Sequence, residues 1–185
     1  GYADAALAMS VGVQQMVRPK AAGVAFTLDP INGDRSQVCI DASWGLGEAV
    51  VAGEVTPDNF MVDKVLGEIT RRTISPKAIE YRVAGSVVER ADVEPERQQV
   101  ACLTDDEVRA VARMARRAER HYGYPLDIEW AVDAELSPPD NVVLLQARPE
   151  TVWSRKERPS LAQPGSSLLD GIVSTLLKPI HSRKP

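Results

Sequence analysis

Cysteine and aromatic residues are scarce in this chain of 185 residues. The first shortage bears on metal sites and disulfides, and the second on the composition of the core. There are only two cysteines, and aromatic residues make up 5%. Cys39 and Cys102 form neither a metal-binding spacing nor a disulfide framework. Each lies in an apolar stretch, so we expect reduced core residues. Because hydrophobic residues still reach 44%, the core must be mostly aliphatic.

A basic excess and long apolar runs are also absent. The formal net charge is −4, whereas a general nucleic-acid binder carries surplus positive charge. The arginines within residues 113–120 are therefore expected to form the solvated face of a helix. No stretch resembles a signal peptide or is long enough to span a bilayer. We expect a cytoplasmic protein that binds neither nucleic acid nor membranes; its first residue, Gly1, suggests a fragment.

The most informative stretch predicts a β-hairpin with its polar side chains on one face. The segment Asp-Ile-Glu-Trp-Ala begins at Asp127, and Leu-Leu-Gln-Ala-Arg-Pro-Glu-Thr follows after a turn rich in proline, aspartate and asparagine. Side chains alternate faces along a strand, so Asp127 and Glu129 share a face. If the hairpin is symmetric about its turn, Glu129 lies opposite Gln146 and Asp127 lies opposite Arg148.

Those four side chains would equip a magnesium–nucleotide site. Carboxylate and amide oxygens are ligands that Mg²⁺ prefers, and an arginine can hold a phosphate through two hydrogen bonds. The alternative is an ordinary surface ion pair between Asp127 and Arg148, which stabilises little. Glu129 and Gln146 would then simply face solvent, as polar residues do on one side of many antiparallel sheets.

A glycine-rich loop is open to two interpretations as well. In the segment Trp-Gly-Leu-Gly-Glu, Gly45 and Gly47 allow backbone N–H groups to face a ligand. Two glycines at this spacing alone favour a ligand-free turn from a strand into a short helix. The loop is neither a Walker A motif nor a dinucleotide fingerprint. Glu48 either caps the helix or contacts a ribose hydroxyl.

The clearest predicted helix starts at a capping box. Thr104 and Glu107 have its spacing, and the first turn is acidic. The helix extends to about Arg120, and small apolar residues at helical spacing form its buried stripe: Val108, Val111, Ala112, Ala115 and Ala118. Alternating strands surround it, including one predicted over residues 11–17. The pattern predicts an α+β fold, with an antiparallel-rich sheet and packed helices.

Three ordered segments resemble one family. They are Gln-Gln-Met-Val from Gln14 with Ala-Gly-Val-Ala-Phe-Thr-Leu-Asp-Pro from Ala22, Ala-Ser-Trp-Gly-Leu-Gly-Glu from Ala42, and the hairpin ending Gln-Ala-Arg-Pro-Glu-Thr. Together they resemble the nucleotide-binding domain of the phosphoenolpyruvate synthase and pyruvate phosphate dikinase family, which includes rifampicin phosphotransferases. The residues of the second and third segments favour the synthase branch of the family over the plant-type dikinase. The resemblance implies an ATP-grasp-like lobe over residues 1–154, with residues 155–185 as a linker or tail toward a missing domain.

The resemblance also implies roles for the hairpin residues. Glu129 and Gln146 would hold Mg²⁺, and Asp127 would orient that shell or hold a second ion. Arg148 would be the catalytic group that neutralises the phosphate oxygens during transfer.

The base and the ribose would lie toward the N-terminal side of the site. In families with this type of site, a strand's backbone edge binds adenine while apolar side chains sandwich the ring. Gln15, Met16 and Val17 would do so here, although packing in the core is the alternative for Met16 or Val17. Glu48 would contact the ribose.

In the intact enzyme, the resemblance implies, ATP phosphorylates a carrier histidine and yields AMP and phosphate. The histidine then phosphorylates pyruvate, so the partners are a phosphohistidine domain and a pyruvate-binding domain. Neither His121 nor His181 has the surroundings of a carrier, and the phosphate-binding lysine of the family's N-terminal lobe has no counterpart. The chain is therefore expected to be inactive alone. The alternatives are a phosphotransferase with another acceptor, such as rifampicin, and a non-catalytic nucleotide-binding subunit.

Overall fold

The structure, a computed structural model, describes residues 11–153. Two antiparallel sheets and one long helix dominate it, which confirms the predicted α+β class. The elements are, in chain order, β1 (Pro19–Phe26), β2 (Gln37–Trp44), α1 (Glu48–Val51), β3 (Asp58–Asp63), β4 (Ile69–Thr73), β5 (Ile79–Ala84), β6 (Val87–Asp92), α2 (Pro95–Gln98), α3 (Asp105–Tyr122), β7 (Leu126–Asp133) and β8 (Val142–Pro149). The predicted tail over residues 155–185, with His181, lies outside the described residues.

The main sheet has six strands in the order β4-β3-β2-β1-β7-β8, and all its pairs are antiparallel. Strand β1 lies near the centre, between β2 and β7. It therefore joins the strand that leads into the glycine-rich loop to the strand that carries Asp127 and Glu129. A second sheet contains only β5 and β6.

The hydrophobic core lies between one face of the main sheet and α3. Its sheet side includes Ile40, Phe60, Ile128 and Trp130, all fully buried. Its helix side is the predicted stripe: Val108, Val111, Ala112 and Ala115 are buried, and Ala118 packs against them. Small side chains on the stripe let the helix lie close to the sheet. Helix α3 covers one face of the main sheet, and we call the opposite face the open face.

Helix α3 begins as its sequence predicts and ends two residues beyond the predicted Arg120, at Tyr122. The Glu107 amide donates to Thr104 Oγ1 at 3.3 Å, and Glu107 Oε2 accepts from the Thr104 amide at 2.8 Å. Gly123, at φ 79°, ends the helix in the left-handed conformation. Lys20 Nζ also donates to Glu107 Oε1 at 2.6 Å, which ties the start of the helix to β1.

The strand predicted over residues 11–17 is wrong. These residues have no regular secondary structure, and β1 starts only at Pro19. Val11 and Val13 are exposed. Alternation of apolar and polar residues produces a strand only where another strand can pair with it, and no described strand pairs with this segment.

Two features of the interior concern charge and sulfur. Asp58 and Lys77 form a fully buried ion pair that was not predicted, with Nζ 2.6 Å from Oδ1. Cys39 and Cys102 are buried and free, as predicted. Burial raises the pKa of the Cys39 thiol to about 11.

Within residues 11–153, no helix is long and apolar enough to cross a membrane.

Candidate functional site

The predicted hairpin register is confirmed where the polar residues lie. Glu129 is opposite Gln146, and Asp127 is opposite Arg148. Arg148 Nε donates to Asp127 Oδ2 at 2.8 Å. The arginine side chain is 58% exposed and the aspartate 16%, so the cation extends outward from a largely buried anchor.

A β-bulge in β8 interrupts this register directly beyond Glu129. Trp130 is opposite Leu144, which leaves Leu145 as an additional residue on β8. The assumption of a symmetric hairpin did not include it. As a result, Leu145 lines an apolar cavity on the same face as Ala131.

The register continues the polar face across the whole main sheet. Residues directly opposite one another in antiparallel strands share a face, and one such set spans all six strands. We call it the cross-strand row; in order across the sheet it contains Thr73, Asn59, Asp41, Val24, Glu129 and Gln146. Sequence analysis did not identify Asp41 or Asn59, because they lie in different strands, 18 residues apart.

An apolar cavity of about 270 Å³ lies on one side of this row. Its lining brings the N-terminal segment, the glycine-rich loop and the hairpin together: Gln14, Gln15, Met16, Val17, Pro19, Ala22, Leu46, Gly47, Ala131 and Leu145. Met16 is 60% exposed, so the core-packing alternative is wrong for this residue. The three residues predicted to bind adenine therefore share one cavity.

The two glycines of the loop have different explanations. Gly45 has φ 69°, and a Cβ there would lie 2.2 Å from the Tyr81 carbonyl oxygen. The Leu46 amide donates to that same oxygen at 2.7 Å, so β5 holds the loop. A Cβ on Gly47 would meet only ordinary contacts, at 3.7 Å or more. Close packing against β5 therefore explains why residue 45 is a glycine. No such contact within the described part of the chain explains Gly47, which lines the apolar cavity.

Glu48 is exposed at the start of α1. Within residues 11–153 its carboxylate accepts no hydrogen bond, so the predicted alternative of helix capping is not observed. Its contact with a ribose stays a prediction.

A second, charged cavity of about 460 Å³ lies on the other side of the row. It is lined by Phe26, Asp127, Arg148, Pro149, Glu150, Thr151 and Val152. Asp127 Oδ1 is buried there with no hydrogen-bond partner among the described residues. From Ala22 in the apolar cavity to Phe26 in the charged one, β1 rises about 13 Å. The open face therefore presents an apolar cavity, a polar row and a charged cavity in sequence.

The donor set fits a shared rather than an enclosed metal site. Among the described residues, no three His, Cys, Asp or Glu side chains group to form a metal site. Magnesium usually retains waters and is bound by one or two carboxylates together with substrate phosphates. Glu129 beside Gln146 matches that pattern, and an all-protein cage is not required.

Comparison with known proteins identifies relatives of this domain. The family described as "Pyruvate phosphate dikinase, AMP/ATP-binding domain" matches residues 1–165. The phosphoenolpyruvate synthase of Aeropyrum pernix is 41% identical over 181 residues, covering 84% of this chain and 22% of the relative. That of Escherichia coli K12 is 40% identical over 186 residues, covering 92% and 23%.

A relative with a different printed name has comparable similarity. The prodigiosin synthesizing transferase PigC of Serratia marcescens is 42% identical over 161 residues, covering 86% of this chain and 18% of the relative. The chain spans less than a quarter of the length of the relatives described here.

Proposed function

Because the chain belongs to the family of pyruvate phosphate dikinase AMP/ATP-binding domains, we propose that it is the nucleotide-binding part of a phosphoenolpyruvate synthase-type phosphotransferase. The complete enzyme would convert ATP, pyruvate and water to AMP, phosphoenolpyruvate and phosphate. The observation that carries the proposal is the order of the open face: apolar cavity, polar row, charged cavity. ATP has the same order, with an apolar base, a ribose and a triphosphate. Arg148 and Mg²⁺ would balance the phosphate charge, because Asp127 and Glu150 also line the charged cavity.

The base would occupy the apolar cavity. Leu145 and Leu46 supply apolar surface there, and Gln15, Met16 and Val17 lie on its wall. The segment that contains them is not paired in a sheet. Its backbone groups can therefore donate to and accept from the edge of the adenine, while the leucines contact the ring.

The triphosphate would extend toward the charged cavity. Asp127 holds Arg148 by its Nε atom, which leaves the terminal nitrogens of the guanidinium to bind phosphate oxygens. An arginine positioned before the substrate arrives stabilises developing charge without reorganising. In this arrangement Arg148 is the catalytic group, and Asp127 positions it.

Glu129 and Gln146 would hold Mg²⁺ between the row and the phosphates. A bound Mg²⁺ neutralises phosphate charge and orients the transferring group. Asp127, whose Oδ1 is buried without a hydrogen-bond partner among the described residues, would orient that shell or hold a second ion.

The acceptor would be determined by other domains. The relatives named phosphoenolpyruvate synthase are more than four times the length of the aligned segment, which leaves room for a phosphohistidine domain and a pyruvate-binding domain. The similarity to a prodigiosin synthesizing transferase supports the second candidate, a phosphotransferase in which the same nucleotide site serves another acceptor.

The test uses the full-length enzyme. Glu129→Ala and Gln146→Ala should each abolish ATP-dependent formation of phosphohistidine, because loss of one hard ligand misplaces the metal that neutralises the phosphates. Melting temperatures should stay near wild type, since both side chains lie on the open face. Glu96→Ala and Gln99→Ala, at exposed positions around α2, are matched controls that should retain activity. Near-normal phosphohistidine in both site variants would refute the assignment.

A further inference from the structure

We propose that Asp41 recognises the ribose hydroxyls of the nucleotide, an inference that rests on the proposed function. Asp41 lies on β2 directly opposite Val24 of β1, and Val24 is directly opposite Glu129 on its other side. With strands about 4.8 Å apart, the two carboxylate-bearing residues lie about 10 Å apart on either side of Val24. All three are partly exposed, so a ligand resting on Val24 can reach both.

A chain of two hydrogen bonds fixes the Asp41 carboxylate. Asn59 Nδ2 donates to Asp41 Oδ1 at 2.7 Å, and Arg71 Nη2 donates to Asn59 Oδ1 at 3.2 Å. Because arginine can only donate, it determines which end of the Asn59 amide faces Asp41. Within residues 11–153 nothing donates to Asp41 Oδ2. One oxygen is therefore held and the other is open.

The level of Asp41 along the sheet matches the ribose. Two residues before Val24 on β1, Ala22 lines the apolar cavity. Two residues after Val24, Phe26 lines the charged cavity. Asp41 is level with Val24, between the two. A carboxylate accepts hydrogen bonds from hydroxyl and amino groups but repels phosphates. With the base in the apolar cavity, the ribose is the part of the nucleotide at the level of Asp41.

Asp41 is better prepared for this task than Glu48. Glu48 is exposed and accepts no hydrogen bond among the described residues, so binding would have to order a free side chain. Asp41 is already oriented by Asn59. Across Val24, Glu129 is opposite Gln146, with which it would hold the metal; Asp41 is then the carboxylate for the sugar.

The experiment measures kcat/KM of the full-length enzyme for ATP, 2′-deoxy-ATP and 3′-deoxy-ATP. A site that hydrogen-bonds a hydroxyl discriminates against the analogue that lacks it, and wild type should prefer ATP over at least one analogue by about tenfold or more. Asp41→Asn should reduce this preference by slowing ATP, since a neutral amide forms a weaker hydrogen bond with a hydroxyl group than a carboxylate does. Asn59→Ala should reduce the preference less, in the same direction.

The controls separate this inference from the proposed function. Asp106→Asn, at a side chain 98% exposed on α3, should keep the wild-type preference. An unchanged preference in Asp41→Asn, or a loss in Glu48→Gln alone, would overturn the inference while ATP turnover stands. Absence of ATP turnover in wild type would instead overturn the proposed function. If Asp41→Asn fails to fold, Asn59→Ala decides, and an unchanged preference there overturns the inference.

Discussion

Two carboxylate–cation pairs in this domain have similar geometry and opposite surroundings. Lys77 Nζ lies 2.6 Å from Asp58 Oδ1 with both side chains 0% exposed, whereas Arg148 Nε lies 2.8 Å from Asp127 Oδ2 near the surface. Asp58 also accepts from the amides of Ser75 and Cys102, so both its oxygens are engaged.

The pair of Asp127 and Arg148, which we call the open pair, has polar atoms without a hydrogen-bond partner among the described residues. Asp127 Oδ1 has no partner within the described residues, and the Arg148 side chain extends outward. Both oxygens of Asp58 are occupied within the interior, which suits a role in the fold, whereas the guanidinium of Arg148 is exposed enough to reach a ligand. Exposure of the cation therefore separates the two roles better than the presence of opposite charges.

The largest expected effect comes from breaking the buried pair. Lys77→Met leaves Asp58 with an uncompensated buried charge and should destabilise the domain by about 3–5 kcal/mol. Urea unfolding followed by tryptophan fluorescence measures this, because Trp44 and Trp130 are buried. Arg82→Met breaks the exposed pair with Glu89 and should cost less than about 1 kcal/mol. Equal losses in both variants would contradict the comparison.

Breaking the pair between Asp127 and Arg148 should affect the reaction rate more than the stability of the domain. Arg148→Ala should lower phosphohistidine formation about 10²–10³-fold, as expected when a positioned charge-stabilising donor is lost. The free energy of unfolding should fall by less than in Lys77→Met, because the arginine side chain is 58% exposed and Asp127 keeps partial access to water. Asp127→Asn keeps the arginine and should reduce the rate less. A loss of stability in Arg148→Ala comparable to that of Lys77→Met would assign this pair a structural role.

The smallest effects should come from the two glycines, and they sharpen the same distinction between packing and binding. Gly45→Ala should destabilise by at least about 1–2 kcal/mol, because φ 69° is left-handed and the Cβ meets the Tyr81 carbonyl oxygen. Gly47→Ala should fold normally, yet raise KM for ATP severalfold, because its methyl group enters the apolar cavity. Thermal melting and steady-state kinetics test both. A KM unchanged by Gly47→Ala would remove the loop from the nucleotide site.

Local patterns predicted what depends on neighbouring residues in the chain. Alternation of side chains and assumed symmetry about the turn placed Glu129 opposite Gln146, but they did not predict the β-bulge beyond Glu129. The capping box likewise located the start of α3 at Thr104. The strand predicted over residues 11–17 failed because alternation alone cannot show whether a pairing partner is present.

Features that depend on distant pairing left no local signal. Asp41 and Asn59, like Asp58 and Lys77, meet across separate segments. Nothing in the spacing of such residues distinguishes them from solvated polar residues. The roles of Gln15, Val17 and Glu48 in nucleotide binding stay predictions, since cavity lining and exposure support contact without identifying the ligand atoms involved.

The additional residue in β8 changes the parity of that strand. In a regular strand, the neighbours Leu145 and Gln146 would point to opposite faces. With the bulge, Leu145 lines the apolar cavity while Gln146 remains opposite Glu129. Two consecutive residues therefore supply an apolar and a polar contact to one face. Parity changes only by whole residues. A lineage can therefore gain or lose this arrangement by the insertion or deletion of one residue in β8.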